Sequence, residues 1–425
     1  MYSWCVLPLD SGQEFDPARD SEFFAALPPL PGVLLIEMKN PAAQPYLART
    51  ADIHRAAERL LTVPDAASKR LNLREVAARV RYRVTGSKLE QTLTMYGQAR
   101  EHFPSRYRAL IKLRPPAVLK VNLRNEYPRC YVTRSIRADG GFYVGPFPSR
   151  ALAEAFAQDF LDLFKIRRCQ IKIRRDPAYP GCIYSEMKMC LAPCFAGCTK
   201  EDYDVEVARV VRTLATAGEA LTQELERERE AASDVLDFER ASALHKRLEK
   251  VSDHLRVLPG IARRIDRLDA VILQRAAEGK TITVFPVFRG MLSEPIVLRF
   301  AELASEPRSV EAILRAALEP QTTPAERPVG SEDKRSGDVA EPEDPLTQPV
   351  SQTHTLEEEF GIHSVPPELQ EHLSLITRWF YSKPREGEIF FRDEAWPYRR
   401  ILRACSRLLA PPQEKAPLGA PPPEE

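Results

Sequence analysis

The 425-residue sequence predicts an α+β protein made of several small domains. Three observations support this prediction. Short apolar runs typical of buried strands alternate with stretches of helical spacing in the first third of the chain. The stretch 201–258 has helical spacing throughout. Strand-like and helix-like runs return after residue 259. We therefore expect a small α/β domain, a cysteine-rich region, an antiparallel helical hairpin and a partial α/β C-terminal region.

Composition narrows the class of protein. The chain has 61 basic and 60 acidic residues, so only local patches of charge can indicate a nucleic-acid partner. It has no run of 18 apolar residues, so we expect no membrane span. The N-terminus has no basic segment before a long apolar run, which argues against a secretory signal. We expect a cytoplasmic protein.

The first elements follow an acidic N-terminal arm of unassigned structure, residues 1–28. The apolar run Val33–Met38 predicts a buried strand, and Asp52 is a plausible N-cap for a helix that ends near Leu61. A second helix is predicted over Leu89–Glu101. Two further strands are predicted at Gln44–Ala48 and Arg81–Thr85.

The stretch from residue 100 to residue 150 is strongly basic. Eleven basic residues stand against three acidic ones, and tyrosines and a phenylalanine are interleaved. This pattern suits a phosphate backbone, but it equally suits the solvated face of a small sheet with an aromatic core. Candidate DNA contacts are Arg129, Arg134 and Arg150. Ser149 is a plausible N-cap for a helix whose predicted apolar face is formed by Leu152, Phe156, Phe160, Leu163 and Phe164.

Five of the eight cysteines fall between residues 169 and 198. Thiolates at such short spacings can converge on one metal centre. A structural zinc site and an iron–sulfur cluster are both open, because four soft thiolates suit either. The alternative is a group of buried free cysteines that act as small hydrophobic residues, although that would predict scatter rather than clustering.

The stretch 201–258 predicts a helical hairpin. One apolar stripe runs from Val207 to Leu225, and a second runs from Ala241 to Leu255. A hairpin this small buries little surface, so it should pack on a partner, on a second copy or on the rest of the chain.

Residues beyond 258 return to α/β character. Strands are predicted at Asp269–Gln274, Thr281–Phe288 and Ile296–Phe300, and a helix at Val310–Leu318. The Pro- and Glu-rich text of 319–355 predicts a disordered linker. Two helices, Pro367–Tyr381 and Trp396–Leu409, surround an extended segment at Glu388–Arg392, and a disordered tail follows.

Four motifs in this order resemble the UvrC family, the C component of the bacterial excinuclease ABC of nucleotide excision repair. They are Tyr143-Val-Gly-Pro-Phe-Pro-Ser149, Phe164-Lys-Ile-Arg-Arg-Cys169, Cys190-Leu-Ala-Pro-Cys194 and Asp237-Phe-Glu-Arg-Ala-Ser-Ala-Leu244. The resemblance is strong over 116–255 and weaker over 29–115 and 259–316. It implies a GIY-YIG nuclease module, a cysteine region and a UVR hairpin that docks on UvrB, the B component of the excinuclease. We recognise no counterpart of the family's RNase H-like nuclease or helix-hairpin-helix module after residue 300.

The resemblance gives the following segments: an N-terminal arm (1–28), a degenerate GIY-YIG domain (29–115), a basic region and cysteine-cluster domain (116–200), a UVR hairpin (201–258), the start of the UvrC C-terminal half (259–316), a disordered linker (317–359), a helical C-terminal segment (360–410) and a disordered tail (411–425).

Most of the catalytic positions of the GIY-YIG module carry other residues. Tyr46 alone keeps its family identity. The first tyrosine of the family falls on Leu34, the catalytic arginine on Ala56 and the metal-binding glutamate on Tyr96. The glycine and the lysine of the second motif fall on Ala48 and Arg49, and the late asparagine falls on Arg108. Without the carboxylate a divalent metal has no protein ligand, so Mg²⁺ is expected only if the module is active.

The cysteines and the hairpin match the family better. Cys169, Cys182, Cys190 and Cys194 match the four that hold a [4Fe–4S] cluster, with zinc as the alternative, and Cys198 is an additional thiol. In the hairpin the predicted partner-binding residues are Phe238, Glu239, Leu244 and Leu248, but the family's Arg-Asp after the leucine is His245-Lys246.

Three interpretations follow. The first is a UvrC-like repair protein that binds damaged double-stranded DNA and UvrB with lost or impaired nuclease activity. The second is a shortened excinuclease that makes a single incision, with Tyr46, Arg49 or Arg55, and Glu90 rearranged into a working site. The third is a structural remnant that only supports the cysteine domain.

Overall fold

The computed structural model describes residues 7–63, 69–302, 308–319 and 352–410, with side chains left out at 352–354. In this part of the chain three antiparallel sheets are combined with thirteen α-helices. The predicted α+β class is confirmed. Within the same residues, no helix is both long enough and apolar enough to cross a bilayer.

The first sheet has the strand order β1-β4-β2-β3. Its helix α2 begins after Asp52, whose carboxylate accepts a hydrogen bond from the Arg55 backbone N–H at 2.9 Å, so the predicted N-cap is confirmed. The N-terminal arm, to which the sequence assigned no structure, contributes β1, which pairs with β4. The elements are β1 (Ser11–Glu14), α1 (Asp20–Ala25), β2 (Gly32–Met38), β3 (Tyr46–Thr50), α2 (Ile53–Leu61), β4 (Ala77–Val84), α3 (Lys88–His102) and α4 (Tyr107–Leu110).

The two faces of this sheet pack into different cores. Because side chains alternate along a strand, Leu34 and Ile36 of β2 lie in the core on the α2 side, whereas Val33 and Leu35 lie in the core on the α3 side. Any pair of residues on opposite faces is therefore separated by the sheet itself.

The second sheet has the order β6-β5-β7-β8 and is covered by α5. Ser149 is the N-cap of α5, as predicted, and its hydroxyl accepts a hydrogen bond from the Leu152 N–H at 3.2 Å. The prediction that Leu152 belongs to the apolar face is wrong, since Leu152 is 57% exposed on the first turn. The elements are β5 (Ala117–Val121), β6 (Cys130–Thr133), β7 (Phe142–Phe147), α5 (Arg150–Leu161), the short α6 (Ile183–Glu186) and β8 (Arg263–Arg264).

Three helices, not two, fill residues 200–256. They are α7 (Lys200–Ala215), α8 (Glu219–Asp234) and α9 (Phe238–Arg256). The paired helices of the hairpin are α8 and α9. The predicted stripe from Val207 to Leu225 is divided between α7 and α8, and both helices contribute to the core of the second sheet. Gly218 makes the break: its φ is +98°, and a Cβ there would overlap the Leu255 side chain.

The third sheet has the order β11-β10-β9-β13, with β12 also on β10. The predicted bounds of β10 and α10 are confirmed. Residues 320–351 of the predicted linker and the tail 411–425 lie outside the described residues, while 352–360 form a helix instead of linker. The elements are β9 (Ala270–Arg275), β10 (Thr281–Phe288), β11 (Met291–Leu292), β12 (Ile296–Arg299), α10 (Val310–Leu318), α11 (Gln352–Phe360), α12 (Leu369–Phe380), β13 (Glu388–Phe391) and α13 (Tyr398–Leu409).

One core connects the three sheets. It contains Leu93 of α3, Tyr143 of β7, Ile272 of β9 and Leu373 of α12, each at most 1% exposed. Helix α12 thus packs directly against α3 of the nuclease-like domain. This packing determines what surrounds the catalytic positions of that domain.

Candidate functional site

The four cysteines predicted to share a metal centre lie in one loop region. Burial is the main cause that raises the pKa of the Cys190 thiol to about 11. The nearby Cys169, Cys182 and Cys194 thiols also raise this pKa. Burial also raises the pKa of Cys194, and the charges of Cys182 and Cys169 raise it further. No group of Cys, His, Asp or Glu within the described residues stands at single-ion distances. Cys169, Cys182 and Cys194 are each near enough to Cys190 to act on its pKa, and a cluster, unlike a single ion, binds each thiolate to a different iron.

Backbone N–H groups point at the thiols. The Ala192 N–H donates to the Cys190 Sγ at 3.3 Å, and the Phe195 N–H donates to the Cys194 thiol. Ala192 and Ala196 adopt left-handed backbone, with φ of 57° and 61°. This conformation costs an alanine about 1 kcal/mol. Backbone N–H groups next to a left-handed residue can line a concavity that binds anionic sulfur. The donor set and its hydrogen bonds therefore fit an iron–sulfur group.

The sequence did not single out Arg167 as part of this site. Its guanidinium is buried and donates to the Tyr127 carbonyl oxygen at 2.8 Å and to the Ile171 carbonyl oxygen at 2.7 Å. Its Nη1 also lies 3.9 Å from the Cys169 Sγ. The Arg167 N–H donates to the hydroxyl of Tyr203 on α7, which donates in turn to the Pro128 carbonyl oxygen. Arg167 thus ties the cysteine loop to the sheet, and its position two residues before Cys169 was the available signal.

The fifth cysteine stands apart. Burial raises the pKa of Cys198, and Asp202 raises it further. Of the four candidate ligand cysteines, Cys194 alone also raises the pKa of Cys198. Cys198 lines a separate surface cleft of about 460 Å³ together with Lys165, Glu206 and Arg247. It is an additional thiol beside the group of four.

The retained nuclease position, Tyr46, lies on β3 and packs on the α2 side of the first sheet. It lines a cleft of about 440 Å³ that also contains Arg59 and Arg70. Helix α3, which carries Glu90, packs on the other face. The β-sheet therefore separates Tyr46 from the carboxylate with which a rearranged site would combine it.

The other candidates of a rearranged site have local partners. Glu90 is buried, accepts a hydrogen bond from the Gly86 N–H at 2.9 Å and pairs with Arg83 at 3.4 Å. Arg49 donates to the Thr92 hydroxyl at 3.4 Å, and the exposed Arg55 pairs with Asp52 at 3.4 Å. The structure does not bring these residues together with Tyr46.

Two residues at positions that the family resemblance predicts to be catalytic bind the same carboxylate. Tyr96, at the glutamate position, is 1% exposed, and its hydroxyl donates to the Glu371 Oε2 at 2.6 Å. Arg108, at the asparagine position, donates from Nε to the Glu371 Oε1 at 2.7 Å, and the Tyr107 hydroxyl donates to the same oxygen. Burial raises the pKa of Glu371, but these three hydrogen bonds outweigh it and hold the pKa below its usual value. The sequence did not indicate Glu371, which lies more than 260 residues away on α12.

The basic stretch 100–150 is partly neutralised by the C-terminal segment. Besides Arg108, Arg100 pairs with Glu368 at 2.8 Å and Arg124 pairs with Glu357 at 2.6 Å. Of the three predicted DNA contacts, Arg150 pairs with Glu154 at 2.7 Å, Arg129 stacks on the Tyr131 ring at 4.2 Å and Arg134 is exposed. Several arginines of this stretch are therefore paired with carboxylates that follow residue 355.

The predicted partner-binding residues of the hairpin divide into two pairs. Phe238 is 69% exposed and Glu239 is exposed beside it, at the start of α9. Leu244 is 8% exposed and Leu248 is half-buried, and both pack into the core of the second sheet. The first pair is accessible to a partner, whereas the second pair holds the hairpin on the protein.

Comparison with known proteins agrees with these features. The family described as UvrC/Cho excinuclease, middle domain, matches residues 117–213, and the UvrB/uvrC motif matches residues 219–253. Over these residues the chain is similar to the UvrC family. The predicted resemblance is confirmed there, and the motif covers the helices α8 and α9 but not α7.

The relatives carry the same family name. The UvrABC system protein C of Oleidesulfovibrio alaskensis is 30% identical over 275 residues, which cover 63% of this chain and 38% of that protein. That of Desulforudis audaxviator is 33% identical over 215 residues, 49% of this chain and 34% of that one. That of Dehalococcoides mccartyi is 27% identical over 63% of this chain and 44% of its own length. The chain therefore spans less than half of each relative, and no solved structure matches.

Proposed function

We propose that the chain is a UvrC-like protein of bacterial nucleotide excision repair that binds DNA and the excinuclease component UvrB, with lost or impaired nuclease activity. The exposed apolar turn of the hairpin is the observation that carries this proposal. Val235 is 74% exposed, Leu236 72% and Phe238 69%. Such a contiguous apolar group on a surface is typical of a protein-binding site.

The hairpin is built to project this turn. The carboxylate of Asp237 caps α9 by accepting from the Arg240 N–H at 3.0 Å. Val251, which is fully buried, and Leu244 pack the rest of α9 into the core. The apolar turn is therefore presented by two rigid helices, so a partner can bind it with little ordering cost.

Loss of nuclease activity is supported by the surroundings of the catalytic positions. A divalent metal needs accessible oxygen ligands, and a carboxylate of the module would normally supply one. The position of that carboxylate is occupied by Tyr96, which is buried beneath α12. The retained Tyr46 lies on the opposite face of the sheet from Glu90.

For the cysteine loop we propose a [4Fe–4S] cluster held by Cys169, Cys182, Cys190 and Cys194. The support is a set of four neighbouring thiols with backbone N–H donors, the arrangement that stabilises anionic sulfur and adjusts a cluster's reduction potential. When bound, the cluster would crosslink the loop and supply one-electron chemistry. Arg167 would compensate its negative charge from within the core.

Binding to UvrB tests the proposal directly. Phe238→Ala in the full chain should weaken the complex more than tenfold, because a central exposed aromatic residue contributes about 2 kcal/mol or more at an interface. Leu152→Ala, also exposed but on α5, is the matched control and should bind like the unaltered protein. Equal affinities of the Phe238→Ala variant and the unaltered chain would refute the docking role.

Two further measurements test the remaining parts. Incubated with UvrA, UvrB, a lesion-bearing duplex and Mg²⁺, the chain should leave the DNA intact; incision that depends on the purified chain would favour the single-incision interpretation.

Anaerobic purification should give a brown protein with iron and sulfide. A colourless protein that carries zinc would assign the thiols to a zinc site instead.

A further inference from the structure

Seven of the sixteen exposed large apolar side chains of the described residues lie in two places. One is the hairpin turn described above. The other is the loop between Cys169 and Cys190, whose solvent-facing side the proposed function does not use. Four such side chains stand there: Ile171 at 45% exposure, Tyr179 at 38%, Ile183 at 64% and Met187 at 61%.

Ile183 and Met187 project from one rigid turn. They lie four residues apart across α6, and the Met187 N–H donates to the Ile183 carbonyl oxygen at 2.9 Å. The Cys182 N–H donates to the Ser185 hydroxyl at 2.9 Å, which closes the start of the turn. Residues at this spacing share one side of a helical turn. The two most exposed apolar side chains of the loop thus stand together between Cys182 and Cys190.

The same loop is basic. Residues 169–190 include four basic and two acidic side chains. Lys172, Arg174 and Lys188 are exposed and form no ion pair within the described part of the chain. This differs from the stretch 100–150, where carboxylates of the C-terminal segment neutralise several arginines.

Exposed apolar side chains and unpaired cations in one loop fit a nucleic acid better than a protein. Protein interfaces are depleted in lysine, whereas DNA-bending proteins combine basic residues with Ile, Leu or Met side chains that enter between base pairs. Entry of such a side chain costs a few kcal/mol of base stacking, and the cost is lower where stacking is already disturbed. The basic charge of the loop therefore favours a DNA duplex as its binding partner.

We propose that the loop between Cys169 and Cys190 is a DNA-contact surface on which Ile183 and Met187 insert between base pairs while Lys172, Arg174 and Lys188 contact phosphates. This inference rests on the proposed DNA-binding function. The inference adds the part of the protein that distorts the duplex, and it places that part beside the four thiols. A bound cluster would hold the inserting turn rigid.

The test uses the full chain and a duplex with 2-aminopurine, a base whose fluorescence rises when it is unstacked. With the unaltered protein, fluorescence should rise as the complex forms. The double variant Ile183→Ser and Met187→Ser should lose this rise and bind about tenfold more weakly, because the inserted apolar surface is gone. The matched control, Leu110→Ser and Leu152→Ser, removes exposed leucines elsewhere and should keep both signals.

The basic residues give an independent readout. In the triple variant Lys172→Ala, Arg174→Ala and Lys188→Ala, the dependence of log affinity on log salt should become shallower by about 0.9 for each phosphate that the protein no longer neutralises. The variants are all at exposed positions, and unchanged thiol or iron content confirms that the loop is intact. An unchanged salt slope would remove these three residues from the DNA interface.

The outcomes distinguish this inference from the function on which it rests. DNA binding by the unaltered chain without a rise in fluorescence would overturn the insertion and leave the proposed function standing. No binding to any duplex would overturn both the DNA role and the insertion, while UvrB binding is measured separately. Loss of UvrB binding in the Ile183→Ser and Met187→Ser variant, with DNA binding unchanged, would assign the loop to a protein interface and overturn the inference.

Discussion

The cysteine loop and the nuclease-like domain use their family positions in opposite ways. In the loop, four thiols match the family, three of them act on the pKa of Cys190, and Cys190 accepts a hydrogen bond from the Ala192 N–H. In the nuclease-like domain, the positions of the family glutamate and asparagine carry Tyr96 and Arg108, and both bind Glu371 of α12. One region keeps its chemical groups, and the other uses the same places for packing.

The predicted catalytic positions of the first domain are therefore packing positions in this structure. A nuclease site must stay open to its metal and to DNA, so its polar side chains face solvent. Here α12 covers α3, and Tyr96, Tyr107 and Arg108 supply the hydrogen bonds that a buried carboxylate requires. The packing gives the C-terminal segment a fixed place on the domain.

The largest expected effect is on the cysteine loop. Cys190→Ser should remove essentially all cluster iron, because Cys190 lies among the other three thiols and a missing thiolate leaves one iron without its protein ligand. Iron and sulfide analysis after anaerobic purification measures this. Cys198→Ser and Cys405→Ser are the matched controls and should keep their iron. Iron loss in Cys198→Ser with retention in Cys190→Ser would reverse our ligand assignment.

The second prediction concerns the packing that covers the nuclease-like domain. Glu371→Ala should lower the free energy of unfolding by about 4 kcal/mol, since it leaves the buried Tyr96 hydroxyl and its neighbours without an acceptor. Glu357→Ala breaks a comparable pair with Arg124, which is 57% exposed, and should cost about 1 kcal/mol or less. Urea denaturation of both variants measures the difference. If both variants lost the same free energy of unfolding, the Glu371 carboxylate would contribute no more than a surface ion pair.

The sequence predicted local elements well and long-range contacts poorly. The bounds of β10 and α10, and the N-caps Asp52 and Ser149, follow from patterns within a few residues, and the structure has them as expected. The grouping of the cysteines was also visible, because their spacing is local. Glu371 was not, because nothing near residue 371 indicates that its partners are residues 96, 107 and 108.

Two differences between the sequence patterns and the structure have the same physical origin. The apolar stripe that continues from α7 to α8 predicts a hairpin that starts at residue 201, but Gly218 divides the stripe into two helices of one core. The basic stretch 100–150 suits a phosphate-binding face and the solvated face of a sheet equally, and carboxylates distant in sequence pair with Arg100, Arg108 and Arg124. Periodicity and local charge do not report which distant segment will cover a surface.

The third prediction uses pH to loosen the packing of α12. Burial lowers the pKa of His372 to about 4, and the neutral ring accepts the Leu292 N–H on Nδ1 at 3.0 Å. Glu368 and Glu371 act to raise this pKa, and Arg100 acts to lower it. The unfolded chain binds the proton near pH 6.5 and the folded chain only near pH 4, so stability is complete above about pH 6.5 and falls as the pH decreases. The total loss from this group is about 3 kcal/mol by pH 4.

Urea midpoints between pH 7 and pH 4 measure this loss, and the fluorescence of Trp379, buried on α12, reports the segment concerned. His372→Asn, which can keep an acceptor near the Leu292 N–H, should flatten the dependence between pH 6.5 and pH 4. If stability depended on pH in the same way in His372→Asn, other groups would be responsible for that dependence.

The smallest expected effect is at the one nuclease residue that keeps its family identity. The Tyr46 hydroxyl has no hydrogen-bond partner in the described residues, and its ring is half-buried beside α2. Tyr46→Phe should therefore change the free energy of unfolding by less than about 0.5 kcal/mol and leave DNA affinity unaltered. The neighbouring Leu47, 9% exposed on the opposite face, provides the contrast: Leu47→Ala should cost about 2–3 kcal/mol through the cavity it creates. If Tyr46→Phe abolished an incision that the unaltered chain makes, the hydroxyl would be catalytic, and the contrast between a preserved loop and a converted nuclease domain would fail.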